Sequence, residues 1–444
     1  MMVENWNKLS PEEKFEERFK SWMNPDITFA SDKAKENYQQ ITQDWKDALA
    51  LKNKRVRSLL NVGFYPAKYA EGITCEDIMY DYNKLGEAWK KFHFDFQPEN
   101  IMSSFIIGSG KVLEILDYQL YQWPGQGVDK NSGYQTLEKE YVKGDEYDKL
   151  INDPSGFWMR HYMPRIFGSL KGWANMDPFT DILELPNVGA HMIPVGIPDV
   201  QESFKKYLEA GQEALNWISA VAEIDNEIVS QLGVPHIVQG ISKAPFDSLG
   251  DTLRGTRPIL LDIFRRPEKL QKAMDALVPL MIDMGVRSST QNNNPFVFIP
   301  LHKGADGFLS REDFKKYYWP SLKAVMLGLI EEGLVPYLFV EGSYNERVDI
   351  LNDPDLPSGK VFYLFDDTDM VKAKKALGER FCIAGNVSAS MLNVGTPQKV
   401  EENVKRLIED VGKEGFVLSH GVALDDANAD NLKAMLEATR KYGQ

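Results

Sequence analysis

Four apolar runs in the last third of this 444-residue chain each end on a polar residue beside a turn former. Residues 334–340 run into Glu341-Gly342, 361–365 into Asp366-Asp367, 381–384 into Gly385-Asn386, and 416–419 into His420-Gly421. Parallel strands covered on both faces read as unbroken apolar runs, and their carboxyl ends are where an α/β fold gathers its chemistry. The pattern predicts a parallel sheet with a functional site at one end.

Extended over the chain, the same reading gives eight strands: 58–65, 92–96, 236–242, 296–302, 334–340, 361–365, 381–384 and 416–420, with a ninth conceivable near 115–121. Helical stretches separate most of them, such as 320–332 with Leu322, Val325, Met326, Leu329 and Ile330 on one face and Gly333 at its end. Alternating strands and helices in that number favour a (β/α)8 TIM barrel over an open sheet. Residues 1–57 read as a polar helical extension and 58–444 as the barrel. Residues 113–195, rich in Tyr, Trp, Gly and Pro without a clear period, read as an insertion, either a lid over the site or a satellite core.

Composition removes several functions. Lys and Arg number 51 against 65 Asp and Glu, a net charge of −14, which argues against a nucleic-acid or anionic-membrane surface. No apolar run approaches the ~20 residues of a membrane span. The start, Met1-Met2-Val3-Glu4-Asn5-Trp6, lacks the regions of a signal peptide, and two cysteines are too few for a disulfide framework, so a cytoplasmic location is expected. Gly108-Ser109-Gly110-Lys111 lacks the spacing of a phosphate loop, and no G-x-S-x-G elbow is present.

The predicted strand ends bring Asp95, Ser242, His302, Glu341, Asp366, Asp367, Asn386 and His420 to one rim. Any one of these is most often a hydrogen-bonded rim residue; their joint placement suggests acid–base chemistry or metal binding. Of six histidines only His302 and His420 close strands. Cys382, four residues before Asn386, is either a metal ligand or a small apolar filler.

Longer stretches carry a resemblance. Pro245-Phe246-Asp247 with Gly255, then Arg266-Pro267-Glu268, Gly307-Phe308-Leu309-Ser310 through Tyr318-Trp319-Pro320, Gly385-Asn386-Val387, Gly395-Thr396-Pro397, and Ser419-His420-Gly421 with Asn431–Met435 together resemble the uroporphyrinogen decarboxylase superfamily. The likeness spans roughly 230–443 and is weaker from 58. True uroporphyrinogen decarboxylases carry an arginine-rich loop after the first strand that holds substrate carboxylates. Here that position reads 61–68, Asn-Val-Gly-Phe-Tyr-Pro-Ala-Lys, without an arginine. A second branch contains zinc-dependent methyltransferases linked to corrinoid proteins. Its H-x-C and Cys ligand slots resemble Glu341-Gly342-Ser343 and His420 here, residues still competent for zinc.

The resemblance therefore implies a methyltransferase that moves a methyl group from a small methylated substrate, such as a methoxylated aromatic, to a corrinoid protein. Zn²⁺ would sit on Glu341, His420 and Cys382, with cobalamin carried by the separate corrinoid protein. His420, Asp95 and His302 would be catalytic, and Asn386, Asp367 and Tyr65 would contact substrate. An acid in the site could protonate the leaving phenolate instead of a metal polarising it. The alternatives are a metal-free decarboxylase or lyase of the uroporphyrinogen decarboxylase type, and a non-catalytic binding subunit. A homodimer is compatible with the sequence.

Overall fold

The computed structural model describes residues 5–421 and 423–444; the first four residues, on which part of the leader reading rests, lie outside the described residues. In chain order the strands are β1 (Ser58–Leu59), β2 (Tyr121–Pro124), β3 (Gly127–Val128), β4 (Gln135–Thr136), β5 (Gly240–Ile241), β6 (Phe296–Leu301), β7 (Val335–Val340), β8 (Phe362–Phe365), β9 (Cys382–Val387) and β10 (Phe416–His420). β1 and β5 to β10 form one parallel sheet in the order β1-β10-β9-β8-β7-β6-β5, and β2 to β4 a separate small sheet.

The gap between β1 and β5 is closed by Asn100 and Ile101. Ile101 makes a parallel bridge with His236, and its N–H donates to the Pro235 carbonyl at 3.0 Å. On the other side the Asn100 carboxamide does what a strand backbone would do. Its oxygen accepts from Leu60 N and its nitrogen donates to Leu60 O, both at 2.9 Å. With that eighth position filled, the molecule is a (β/α)8 barrel.

Inside, Phe298, Tyr337 and Phe362 share a register level on β6, β7 and β8, with ring centroids 5.3 and 4.7 Å apart. The N-terminal helices stopper the amino end. Ser10 opens the first, Pro11–Met23, with a reciprocal capping box to Glu13. Phe19 and Trp22 from this helix, and Trp45 from Asp32–Leu49, pack against Phe296, the first residue of β6. Trp45 also meets Phe362, the first residue of β8, at 5.3 Å. Burying each such ring contributes about 1.5–3 kcal/mol.

The structure corrects several expected elements. Residues 92–96 are not a strand but the end of the helix Tyr82–Phe96, capped by Asp81. Buried Leu85, Ala88, Trp89, Phe92 and Phe96 recur at three- and four-residue steps, so the helical period runs on through the apparent strand. Gln97, at φ 45°, ends that helix before Pro98. Residues 58–65 pair as a strand only over Ser58–Leu59 and enter a helix at Tyr65; 236–242 pair over Gly240–Ile241 and the His236 bridge. Of 115–121, the first residues close the helix Gly110–Leu116 and only Tyr121 is in β2. A 35-residue helix, Pro198–Leu232, leads back to the barrel. Among the described residues no helix is long and apolar enough to cross a membrane.

Candidate active site

His302 follows β6, and Glu341 follows β7, so the neighbouring strands deliver them side by side at the carboxyl end of the barrel. His302 Nε2 lies 3.5 Å from Glu341 Oε1. Its other ring nitrogen, Nδ1, is 2.5 Å from Asp251 Oδ2. Asp251 sits in the short helix Ser248–Leu253 after β5 and also pairs with Lys243 at 2.8 Å and Lys303 at 3.5 Å. Burial alone would lower the His302 pKa. Its hydrogen bonds to Asp251 and Glu341 outweigh that and raise it to about 10, so the ring is an imidazolium at neutral pH. Burial works against the Asp251 carboxylate too, but His302 and Lys243 hold it well below the usual range.

Behind this pair lies Asp247, fully buried. Its carboxylate accepts from the backbone N–H groups of His302 at 3.0 Å and Lys303 at 2.9 Å, and from the Tyr318 hydroxyl at 2.6 Å. Burial and the neighbouring Asp251 charge push its pKa up. Asp247 thus fixes the backbone turn that carries His302, while Asp251, four residues on and one helical turn away, fixes the ring.

Next around the rim, Gly342 at φ +74° turns the chain after Glu341, and its N–H donates to Asp366 Oδ2 at 2.9 Å. Gly421 lies so close to Asp366 that a Cβ there would collide with its carboxyl oxygen and backbone. Asn386 Nδ2 donates to the carbonyls of Asp366 and Thr368, at 2.9 and 2.7 Å, which latches the loop carrying Asp367. Asn386 and Asp367 also line a cavity of about 500 Å³ with Asn345, Asp369 and Arg406.

The remaining expected site residues are distributed as follows. His420 ends β10, fully buried, and its Nε2 accepts from Asn61 N–H at 3.1 Å; the Asn61 side chain in turn donates to the Tyr337 hydroxyl at 3.2 Å. Asp95 is not at a strand end. It lies on the outer helix Tyr82–Phe96, paired with Lys91 at 2.8 Å and with the Tyr69 hydroxyl at 2.9 Å. Tyr65 is buried among Tyr69, Phe92 and Phe96. Ser242 spends its hydroxyl on the Met281 carbonyl.

Cys382 is the first residue of β9, at the amino end, level with Phe362. At about 3.3 Å per residue it lies roughly 13 Å below Asn386, and burial pushes its thiol pKa up, opposing the thiolate that a metal needs. Glu341, His420 and Cys382 therefore do not converge, and among the described residues no group of three or more His, Cys, Asp or Glu could hold a metal ion. The expected zinc ligand set does not fit this structure.

Sequence reasoning missed Asp247, Asp251, Lys243 and Tyr318 as site residues. Two of them stood in plain view, in the Pro245-Phe246-Asp247 and Tyr318-Trp319-Pro320 motifs, which served as marks of kinship and were assigned no role.

A family model described as uroporphyrinogen decarboxylase (URO-D) matches residues 187–442, which include every member of the His302 cluster. The uroporphyrinogen decarboxylase of Chlorobaculum tepidum is 26% identical over 139 residues, 30% of this chain and 38% of that protein. That of Geobacter sulfurreducens is 28% identical over 141 residues, 31% and 40% of the two chains. The chain thus spans about two fifths of the length of these relatives. Among solved structures, a methyltransferase from Methanosarcina mazei superposes with a TM-score of 0.58 at 13% identity, covering 90% of this chain and 98% of that one. At that identity the likeness is one of fold.

Proposed function

Because the chain belongs to the uroporphyrinogen decarboxylase family, we propose that it is an enzyme that removes the methyl group of a small methoxylated aromatic and passes it to a separate corrinoid protein. The observation that carries this reading is His302, held as an imidazolium between Asp251 and Glu341 at the barrel mouth. An aryl methyl ether resists cleavage because phenolate is a poor leaving group. A positioned acid that protonates the ether oxygen as the C–O bond breaks removes that obstacle. His302 is that acid: the bonding pair stays with oxygen, the ring proton follows it, and Asp251 keeps the neutral ring in place. The corrinoid supplies the nucleophile that accepts the methyl group. Lys243 and Lys303 pair with the same Asp251 carboxylate, which tempers its hold on the ring proton and leaves His302 a stronger acid than Asp251 and Glu341 alone would make it.

Two further features support this reading over decarboxylation of a polycarboxylate. Residues 61–68 contain no arginine, and Phe64, just past β1, meets Tyr134 of the 113–195 segment at 4.8 Å, with Tyr121 beyond it at 6.4 Å. Phe64 is itself buried and backs the 41% exposed Tyr134, the ring of this cluster that a flat substrate could meet. Zinc has no step in this mechanism, since its expected ligands do not converge.

The test is a purified sample given a methoxylated aromatic and reduced corrinoid protein. Release of the free phenol with formation of methylcobalamin supports the reading. Release of CO₂ from a carboxylated tetrapyrrole, with no demethylation, would overturn it in favour of the decarboxylase chemistry of the curated relatives.

A further inference from the structure

The helix Pro198–Leu232 buries one side against the body of the protein and leaves an apolar stripe on the other. Leu208 is 71% exposed, Leu215 61% and Ile218 39%; Gly211 and Ala222 lie exposed on the same line. A Cβ built on Gly211 would meet nothing within 4 Å. The spacings 208, 211, 215, 218 and 222 alternate three and four, which is the a/d seam of a coiled coil rather than the wider face of a core helix. Phe105 and Ile106, 53% and 43% exposed, extend the patch beside Trp217, whose ring lies 4.8 Å from that of Phe105.

The seam is also self-complementary. Reversed about residue 213, Leu208 falls opposite Ile218, and Gly211 falls opposite Leu215, a gap facing a knob. Half-buried Phe204 falls opposite Ala222, again large against small. Antiparallel coiled coils pair a with d in this way, and a two-fold axis requires that residue i meet j where j meets i. Lys205 and Glu223, on the seam's edge, come within a turn of one another across the same axis, with opposite charges. The exposed apolar surface amounts to on the order of 600 Å² per copy, so pairing would bury about 1,200 Å² in all, the lower edge of the range for stable specific interfaces. Patches of that size on a lone chain mark interaction sites.

We infer that this helix is a dimer interface, pairing antiparallel with the same helix of a second copy about an axis near residue 213. This assignment stands independently of the reaction proposed above.

The test uses the full chain. Both native cysteines, Cys75 and Cys382, are buried, so introduced thiols report cleanly. The double variant Leu208→Cys with Ile218→Cys should form a covalent dimer under mild oxidation, while each single variant should not, since 208 and its own copy lie about 15 Å apart along the antiparallel pair. Sedimentation should give twice the chain mass for the wild type and the chain mass for Leu215→Asp, with unchanged circular dichroism because the site is exposed. Cross-linking of the single variants would overturn the antiparallel register. A wild type that sediments as a monomer at every concentration would overturn the dimer and leave the seam to a partner of another sequence.

Discussion

At the scale of single residues, the site depends on how His302 is charged. Folding raises its pKa from an ordinary value of 6.5 to about 10. The sign follows: the stabilisation from its pairing with Asp251 and Glu341 is complete below about 6.5 and is lost as pH rises through about 10. The melting-temperature gap between wild type and His302→Gln should therefore shrink between pH 6 and 10. For activity, His302→Gln should lower kcat by about 10²–10⁴-fold, the usual contribution of a positioned acid, and wild-type kcat should fall as pH passes about 10. A variant that kept full activity would remove His302 from the mechanism. Asp247 is tested differently. In Asp247→Asn, an NH₂ group must face one of three donors, those of His302, Lys303 and Tyr318. A loss of about 1–3 kcal/mol in urea unfolding is expected. His302 and Glu341 were legible as strand ends. Asp247 and Asp251 were not, because they lie beyond the end of β5 on the helical segments Pro245–Asp247 and Ser248–Leu253, and no local pattern reports that these turn in over the barrel mouth.

Among the secondary-structure elements, the strands from β6 to β10 were read close to where they lie, and those of the first half of the chain were not. β6, β7 and β10 lie within a residue or two of their expected bounds, because their apolar runs are long and buried on both faces. The second strand failed for a physical reason. Phe92–Phe96 alternates well enough to pass as extended, but Leu85, Ala88 and Trp89 upstream continue its helical period. The residues that do close the barrel, Asn100 and Ile101, carry no strand pattern at all; a side-chain amide replaces part of the ladder there. Asn100→Leu, near in volume, should orphan both Leu60 backbone groups, which are buried. About 2–4 kcal/mol of stability should be lost, and the Leu60 amide should exchange faster in hydrogen-exchange experiments.

Across the whole molecule, stability and chemistry are placed at opposite ends of the barrel. Trp45 seals the amino end against Phe296 and Phe362, while His302 and Glu341 face the carboxyl end. Trp45→Ala should cost about 3–5 kcal/mol in denaturant unfolding and leave kcat unchanged below the melting transition. A large fall in kcat there would mean that the two ends are coupled. Cys382 shows the same division. Its place in a strand near Asn386 was legible, but its end of the strand decides its character, and it lies at the closed end. What the sequence by itself determined was which residues stand at strand ends, since an apolar run and the polar residue closing it are neighbours in the chain. Only the tertiary structure decided their partners. His302 meets Asp251 and Glu341, 51 and 39 residues away, because β6 and β7 pair with Leu301 level with Val340 and the segment after β5 folds inward. Register and closure depend on every strand at once, and no local pattern encodes them.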